Sequence, residues 1–346
     1  MTPNSPTGDT SLDADPIDPI DADPIDAAVI GLGFDVGGTK VLLVATTAEG
    51  EEVAVVRGSS PPIATELPHV LTPLLQELLA ALGERVSAID GLGISLPGLI
   101  DRSGVLHAAP NLGTPDTALD LRSSLAAPLA ALAPGRLDAS RVVFENDASA
   151  AAFAEATRGA ARGARDVLVV SLGTGIGSGI VSDGRVLHGA HGYAGELGHM
   201  IIDPDGPECP CGRRGCFERF ASGSGLAWLA RRAGLSDAAD STLRGEDIVG
   251  RARDGNAAAL AVIDELAHYL ALGLSNAVEI LDPGIIVLGG GLMAAADVLL
   301  EPTRSAFIRL CRPAQRRRGE DLVIADLGED AAAIGAALLG LEWANA

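Results

Sequence analysis

Basic residues are scarce in this chain. Lys and Arg number 25 against 46 Asp and Glu over 346 residues, for a formal net charge of −21 and a sequence pI of about 4.5. A surface of that sign repels polyanions, which argues against nucleic acid and acidic membrane surfaces as partners. No apolar run reaches membrane-spanning length without a break. The nearest, GIIVLGGGLMAAADVLL (284–300), is interrupted by glycines and Asp297 and reads as a buried strand, a turn and a helix. The N-terminus lacks the basic start and apolar core of a secretory leader, so the expected setting is cytoplasmic and reducing. Only four cysteines are present, and in that setting disulfides are disfavoured. Aromatics make up 3% of the chain, whereas Ala, Leu, Gly and Val abound. Strand-like and helix-like stretches alternate, which suits an α/β protein. The length allows two domains with sizeable cores.

Residues 1–28 stand apart. DADPID occurs at 13–18 and again at 21–26, and the segment holds seven aspartates with no Lys or Arg. Repelling charge and repeated Pro cannot build a core, so a disordered acidic tail is expected. Order begins at about residue 29. AVIGLGFDVGGTKVLLVATTAEG reads as two strands around a Gly-rich turn, and IDGLGISLPGLID as a strand entering a loop. RVVFENDASAAAFAEA reads as a strand, a loop and a helix. DVLVVSLGTGIGSGIVSDGRVLHG repeats the opening pattern, which suggests two halves built on one plan. Apolar residues at 260, 263, 266/267, 270, 274, 278 and 281 predict a helix over Ala257–Leu281. DPGIIVLGGG predicts a strand ending in a tight turn, and DLVIADLGEDAAAIGAALLGLEW a closing strand and helix. PPIATELP (61–68) and APGRLDAS (133–140) read as loops.

Three of the four cysteines crowd into CPCGRRGC (209–216). Pro210, Gly212 and Gly215 let this short loop fold back, and His199 lies ten residues upstream. His199, Cys209, Cys211 and Cys216 form a closed tetrahedral zinc set with no open position, hence a structural one. Buried free thiols are the alternative, but they would not explain three thiols this close together among Pro, Gly and Arg. Cys311 stands alone and reads as an ordinary thiol.

DVGGTK (35–40) is not a P-loop, because GxxxxGK[ST] is absent. Its glycines and Thr39 expose backbone N–H groups and a hydroxyl towards an anion, and Asp35 could hold Mg²⁺ through water. An ordinary hairpin turn is the alternative. GTGIGSG (173–179) is a second such turn, and two of them suit a nucleotide triphosphate held between domains. GGG (289–291) could pass close to an adenosine. In FENDASAAAF (144–153), Asn146 or Asp147 can cap the following helix while the other faces a substrate. A helix N-terminus should keep Asp147 ionised and only modestly basic, which suffices where positioning dominates, as in phosphoryl transfer. Glu196 and Glu218, singly, could be surface carboxylates. Their placement beside the cysteine loop instead sets them around a polyhydroxylated ligand.

CPCGRRGCFE with GELGH resembles the ROK family of sugar kinases and sugar-responsive repressors, and DVGGTK, END and GTGIGSG look like its phosphate and catalytic motifs. The resemblance runs from about residue 29 to the C-terminus. It implies an actin-like, hexokinase-like ATPase fold (ribonuclease H-like), with two α/β domains around a cleft. The expected division is a small domain over 29–146, joined by the C-terminal helix at about 331–346, and a large domain over 147–330 carrying the zinc loop. The resemblance makes Asp147 the general base for a sugar's 6-hydroxyl. Gly98, Asn111, Asn146, Gly175, Glu196, His199 and Glu218 become sugar contacts. Asp35, Gly37, Gly38, Thr39, Lys40, Gly173, Thr174 and Gly290 become contacts to MgATP. Ser178 stands where a third glycine is common, with little expected loss. No helix-turn-helix precedes the first strand, unlike in the family's repressors. The expectation is therefore a homodimeric, ATP-dependent glucokinase. Kinases for N-acetylmannosamine, N-acetylglucosamine or fructose are the alternatives, polyphosphate is a less favoured donor, and a non-catalytic sugar sensor is the reading from another class.

Overall fold

The structure, a computed structural model, describes residues 30–83, 86, 88–109, 112–113, 118–235 and 244–344. The acidic tail and Asn111 lie outside the described residues. The first part of the chain runs β1 (Ile30–Val36), β2 (Lys40–Thr47), β3 (Glu52–Ser59), α1 (Leu67–Leu82), β4 (Gly91–Leu96), β5 (Leu99–Ile100), β6 (Val105–Ala108), β7 (Leu119–Asp120), α2 (Ala127–Ala130), β8 (Val142–Asn146) and α3 (Asp147–Thr157). The second runs β9 (Val167–Leu172), β10 (Ile176–Ser182), β11 (Arg185–Val186), α4 (Glu218–Ala221), α5 (Gly223–Arg232), α6 (Gly245–Arg253), α7 (Ala257–Leu281), β12 (Ile285–Gly289), α8 (Ala296–Leu310), β13 (Leu322–Ile324) and α9 (Ala331–Ala344).

Two five-stranded sheets share one topology. Their orders are β3-β2-β1-β4-β8 and β11-β10-β9-β12-β13. In each, an antiparallel hairpin (β1–β2, β9–β10) leads into strands parallel to its first member. The echo in the sequence is therefore an echo in topology. A small antiparallel sheet, β5-β6-β7, stands beside the first; its two- to four-residue strands are too short to leave a periodic signal. The segment 61–68 is not all loop, since α1 starts at Leu67 with Pro in its first turn, where proline's missing N–H costs nothing.

The buried core residues of α7 are 259, 262, 263, 266, 267, 270, 271, 274, 277 and 278. Leu260, expected on that stripe, is 39% exposed. This helix is long and apolar enough to cross a bilayer by composition, but half of its most apolar window is buried inside the protein.

The C-terminal helix packs on the first sheet. Gly33 and Gly93 face each other across β1 and β4, and a Cβ on either would fall 1.9 Å from a backbone oxygen of α9, that of Ala333 or Ala336. Alternating glycines thus give α9 a flat bed. Gly93→Ala should lower the melting temperature markedly, because a displaced backbone cannot relax as a side chain can; overpacking costs about 1–3 kcal/mol or more. Gly250→Ala in α6, where nothing lies within 4 Å, should be neutral or mildly stabilising. Calorimetry on the pair checks this; equal melting temperatures would refute it.

α9 also packs on α3. Glu155 of α3, 1% exposed, accepts the N–H groups of Ala160 (2.8 Å), Asp326 (3.1 Å) and Leu327 (3.0 Å). A buried carboxylate satisfied by backbone donors in this way ties α3 to the turn before α9.

Candidate active site at the strand ends

Parallel strands of open α/β sheets gather ligands at their C-terminal ends. Here β1, β4 and β8 end in Asp35, the Pro97–Gly98 turn and Asn146–Asp147, while β9 and β12 end in the Gly173–Gly175 and Gly289–Gly291 turns. Asn146 caps α3, its Oδ1 accepting the Ser149 N–H at 3.1 Å, and its Nδ2 donates to the Gly98 carbonyl at 3.2 Å. The capping residue is thus Asn146. Asp147 occupies the first helical position, its Oδ1 accepting the N–H of its neighbour Ala148 at 2.8 Å. Among the described residues no other side chain is hydrogen-bonded to this carboxyl.

Asp147 is not the modest base expected from a helix N-terminus. Burial, then the charges of Asp35 and Glu196, push its carboxyl up to about 7, against the opposing N–H bonds of Ala148 and its own amide. Desolvation and like charge outweigh the helix dipole. Asp35 is pushed up to about 6 by burial and by Asp330, against the Ser95 hydroxyl that donates to it at 2.9 Å and the charge of Lys40. Two carboxyls with raised pKa values, Asp147's partly through the charge of Asp35, suit a divalent cation's charge, with Asp35 as the group to hold it.

The first glycine turn closes through Gly37 N–H to Lys40 O at 2.9 Å, and Ser60 Oγ donates to Gly37 O at 2.5 Å. Lys40 itself pairs with Glu329 at the head of α9. In the second turn the Gly173 and Thr174 carbonyls accept from Gly223 N–H at 2.8 Å and Ser222 Oγ at 2.9 Å. Gly290, at φ 82°, lies against it; a Cβ there would stand 2.6 Å from the Leu172 backbone. The GGG turn and the second cradle are therefore one surface.

The cysteine loop adjoins this surface. One ligand atom from each of His199, Cys209, Cys211 and Cys216 lies within 4.8 Å of the others. Cys211 and Cys216 sulfurs are 3.6 Å apart, and Cys209 Sγ is 3.8 Å from His199 Nδ1. All four cysteines are free. A zinc with bonds of about 2.3 Å in a tetrahedron holds its ligands about 3.8 Å apart, so the set fits the ion. Burial raises the Cys209 thiol, while at Cys211 burial is outweighed by hydrogen bonds from Arg213 and the neighbouring cysteines, leaving it at about 6.

His199 presents Nδ1 towards Glu218, 3.7 Å away, and Nε2 towards Glu196, 3.9 Å away. Burial raises the Glu196 carboxyl, as does the charge of Glu218, while that of His199 opposes them. Glu218 packs on Gly175, where a Cβ would fall 2.5 Å from its carboxylate. Ser178 does more than replace a glycine: its hydroxyl donates to Gly195 O and accepts Leu197 N–H at 3.3 Å, fixing the turn that carries Glu196. The sugar-side and phosphate-side residues named from the sequence thus gather around the strand ends, Asn111 excepted. Unread in the sequence were Glu145, Glu155 and His188; the first two sit in apolar or helical runs that hide their tertiary partners.

The ROK family model matches residues 31–342. A glucokinase of Halalkalibacterium halodurans is 33% identical over 91% of this chain and 96% of its own. Among solved structures, a ROK hexokinase from Thermus thermophilus superposes with a TM-score of 0.74 at 32% identity, covering 90% of this chain and 97% of that one. A Streptomyces griseus ROK glucokinase in complex with glucose and AMPPNP gives 0.67 at 30%, covering 89% and 98%. An Escherichia coli O157:H7 N-acetylmannosamine kinase is 32% identical over 89% of this chain and 97% of its own, whereas a Bacillus subtilis xylose repressor, 28% identical, is covered over only 75% of its length.

Proposed function

The chain belongs to the ROK family and is a sugar kinase of the actin-like ATPase fold, and on that footing we propose that it transfers the γ-phosphoryl group of ATP to the 6-hydroxyl of glucose. The observation that carries the reading is Asp147: a carboxyl with a raised pKa, bonded only to backbone N–H groups among the described residues, at the head of α3 and among the ends of the strands. The similarity to glucokinases over nearly their whole length supports glucose as the acceptor.

The hexose sits against Gly98, Asn146, Gly175, Glu196, His199 and Glu218, with the 6-hydroxyl on Asp147. Asp147 takes the hydroxyl proton as the oxygen attacks the γ-phosphorus in line. The new O–P bond forms while the bond to the β-phosphate oxygen breaks, and ADP leaves. The Gly37–Thr39 and Gly173–Thr174 turns grip the phosphates through backbone N–H groups, and Gly290 borders the nucleoside. Asp35 would hold a magnesium ion, which would supply charge neutralisation for the transferring group. His199, Cys209, Cys211 and Cys216 would hold a structural zinc, which would keep the sugar-binding loop in shape and take no part in the transfer. Closing the site keeps water from accepting the phosphoryl group in place of the sugar.

The reading includes a cytoplasmic location, supported by the free thiols, and a homodimer. Exposed Ile280, Ile308 and Leu310 near the ends of α7 and α8 offer apolar surface for the latter.

A coupled assay with MgATP and a panel of glucose, N-acetylmannosamine, N-acetylglucosamine and fructose tests the assignment. Glucose should give the highest kcat/KM. A higher value for an N-acetylated hexosamine would replace glucose as acceptor, and absence of turnover on all four, with sugar binding retained, would favour a sensor.

A further inference from the structure

Two charged side chains outside this machinery meet between the sheets. Glu145 lies on β8, directly before Asn146 and Asp147, and is 6% exposed. Its Oε1 accepts the Asn146 N–H at 2.9 Å, and its Oε2 lies 2.6 Å from Nε2 of His188, 43 positions along the chain. His188 follows β11 in the other sheet. Its carbonyl accepts the Ala194 N–H at 3.1 Å, and the preceding Leu187 N–H donates to Ile180 O at 2.8 Å. The loop that begins at His188 therefore closes on Ala194, and Gly195 and Glu196 come next. One contact joins the backbone that delivers Asp147 to the loop that delivers Glu196. Among the described residues His188 is the one basic side chain bonded to Glu145.

We propose that the Glu145–His188 pair is a positioning latch for phosphoryl transfer: protonated His188 holds the Glu196 loop against the Asp147 segment, so that turnover follows the charge of His188. The proposal rests on Asp147 acting as the base. Neither residue of the pair touches the reacting atoms; both act through the segments they join.

The groups around His188 come from three elements. Glu145 faces it from β8, Arg102 from the turn between β5 and β6, and Glu342 from α9. The hydrogen bond to Glu145 raises the imidazole's pKa above its ordinary value. Burial opposes this, the charge of Glu145 adds to it, Arg102 lowers it and Glu342 raises it. Because the folded value lies above the unfolded one, the latch is fully charged below about pH 6.5 and is lost as pH rises through the folded value. The expected signature is an alkaline limb in kcat, distinct from the acid limb of Asp147.

The test is the pH dependence of kcat and of both KM values, on whichever panel hexose turns over fastest. It compares the wild type with His188→Gln, Glu145→Gln and the double variant. Each single change should remove the alkaline limb and lower kcat at neutral pH by about ten- to a hundredfold, the scale of a small misplacement, with the ATP KM nearly unchanged. The double variant should be no worse than either single, because the two act as one unit. Wild-type kcat and limb in either single variant, or losses that multiply in the double, overturn the latch. So does an NMR titration of His188 in the wild type that gives a pKa different from that of the limb; this measurement needs no variant to fold. Asp147→Asn in the same assay separates the two claims. If it turns over like the wild type, the base assignment fails, whereas loss there with an unaffected His188→Gln rejects the latch alone.

Discussion

Asp147→Asn is expected to lower kcat by about a thousandfold, within the range that general-base groups contribute, while hexose affinity changes little. Asparagine keeps the shape at the head of α3 and the local contact with Ala148, but it cannot take a proton. The same carboxyl sets two pH dependences. It must be ionised to act, so with a pKa of about 7 the wild-type kcat/KM for the free enzyme should climb with pH up to that region. Asp35→Asn removes a like charge and should move this acid limb downward. Stability runs the other way. The folded pKa lies above the unfolded value of 3.8, so the folded protein binds a proton that the unfolded chain has released. The stability this group contributes is present below the unfolded value and is lost as pH rises towards 7. Asp147→Asn escapes that loss. Its melting temperature should match the wild type at low pH and exceed it at pH 8, an inactive but more stable protein. Parallel melting curves across that range would show that burial and Asp35 do not perturb this carboxyl.

Loss of the proposed zinc is expected to be the second large effect. Cys209→Ser, or a strong chelator on the wild type, should abolish a metal content of about one zinc per chain. The hexose KM should rise by about ten- to a hundredfold, as when the groups that orient a metal site are lost. The cause is local: Glu196, His199 and Glu218 converge only because the 199–216 loop folds on itself. ATP affinity should be nearly unchanged, since the phosphate turns belong to β1–β2 and β9–β10. Metal analysis with calorimetric titration of sugar and nucleotide separately checks both halves. Metal-free protein with an unaltered hexose KM would mean that the loop holds its shape without the ion.

Much of the site was legible because its parts are short segments. The His/Cys cluster proposed to hold zinc spans 199–216, and both glycine turns sit inside their own hairpins. The capping role of Asn146 could be anticipated but not chosen over Asp147, because either side chain can reach the helix N-terminus and only the rotamer decides. Ser178 looked like a tolerated departure from glycine; its bond to Gly195 depends on a turn 17 positions away. Glu145 read as part of a strand, and nothing near it in the chain marks His188 as its partner.

The alternation of apolar residues and glycines, the helical apolar spacing of α7 and the clustered thiols were determined by the sequence alone, because backbone propensity and loop closure act between near neighbours. Folding decided the rest. It laid α9 on the glycine face of β1 and β4 and brought Asp35 close enough for its charge to raise the pKa of Asp147. It also joined Glu145 to His188. Desolvation and through-space charge depend on which distant segments exclude water together, and that is a property of the packed molecule rather than of any stretch of the chain.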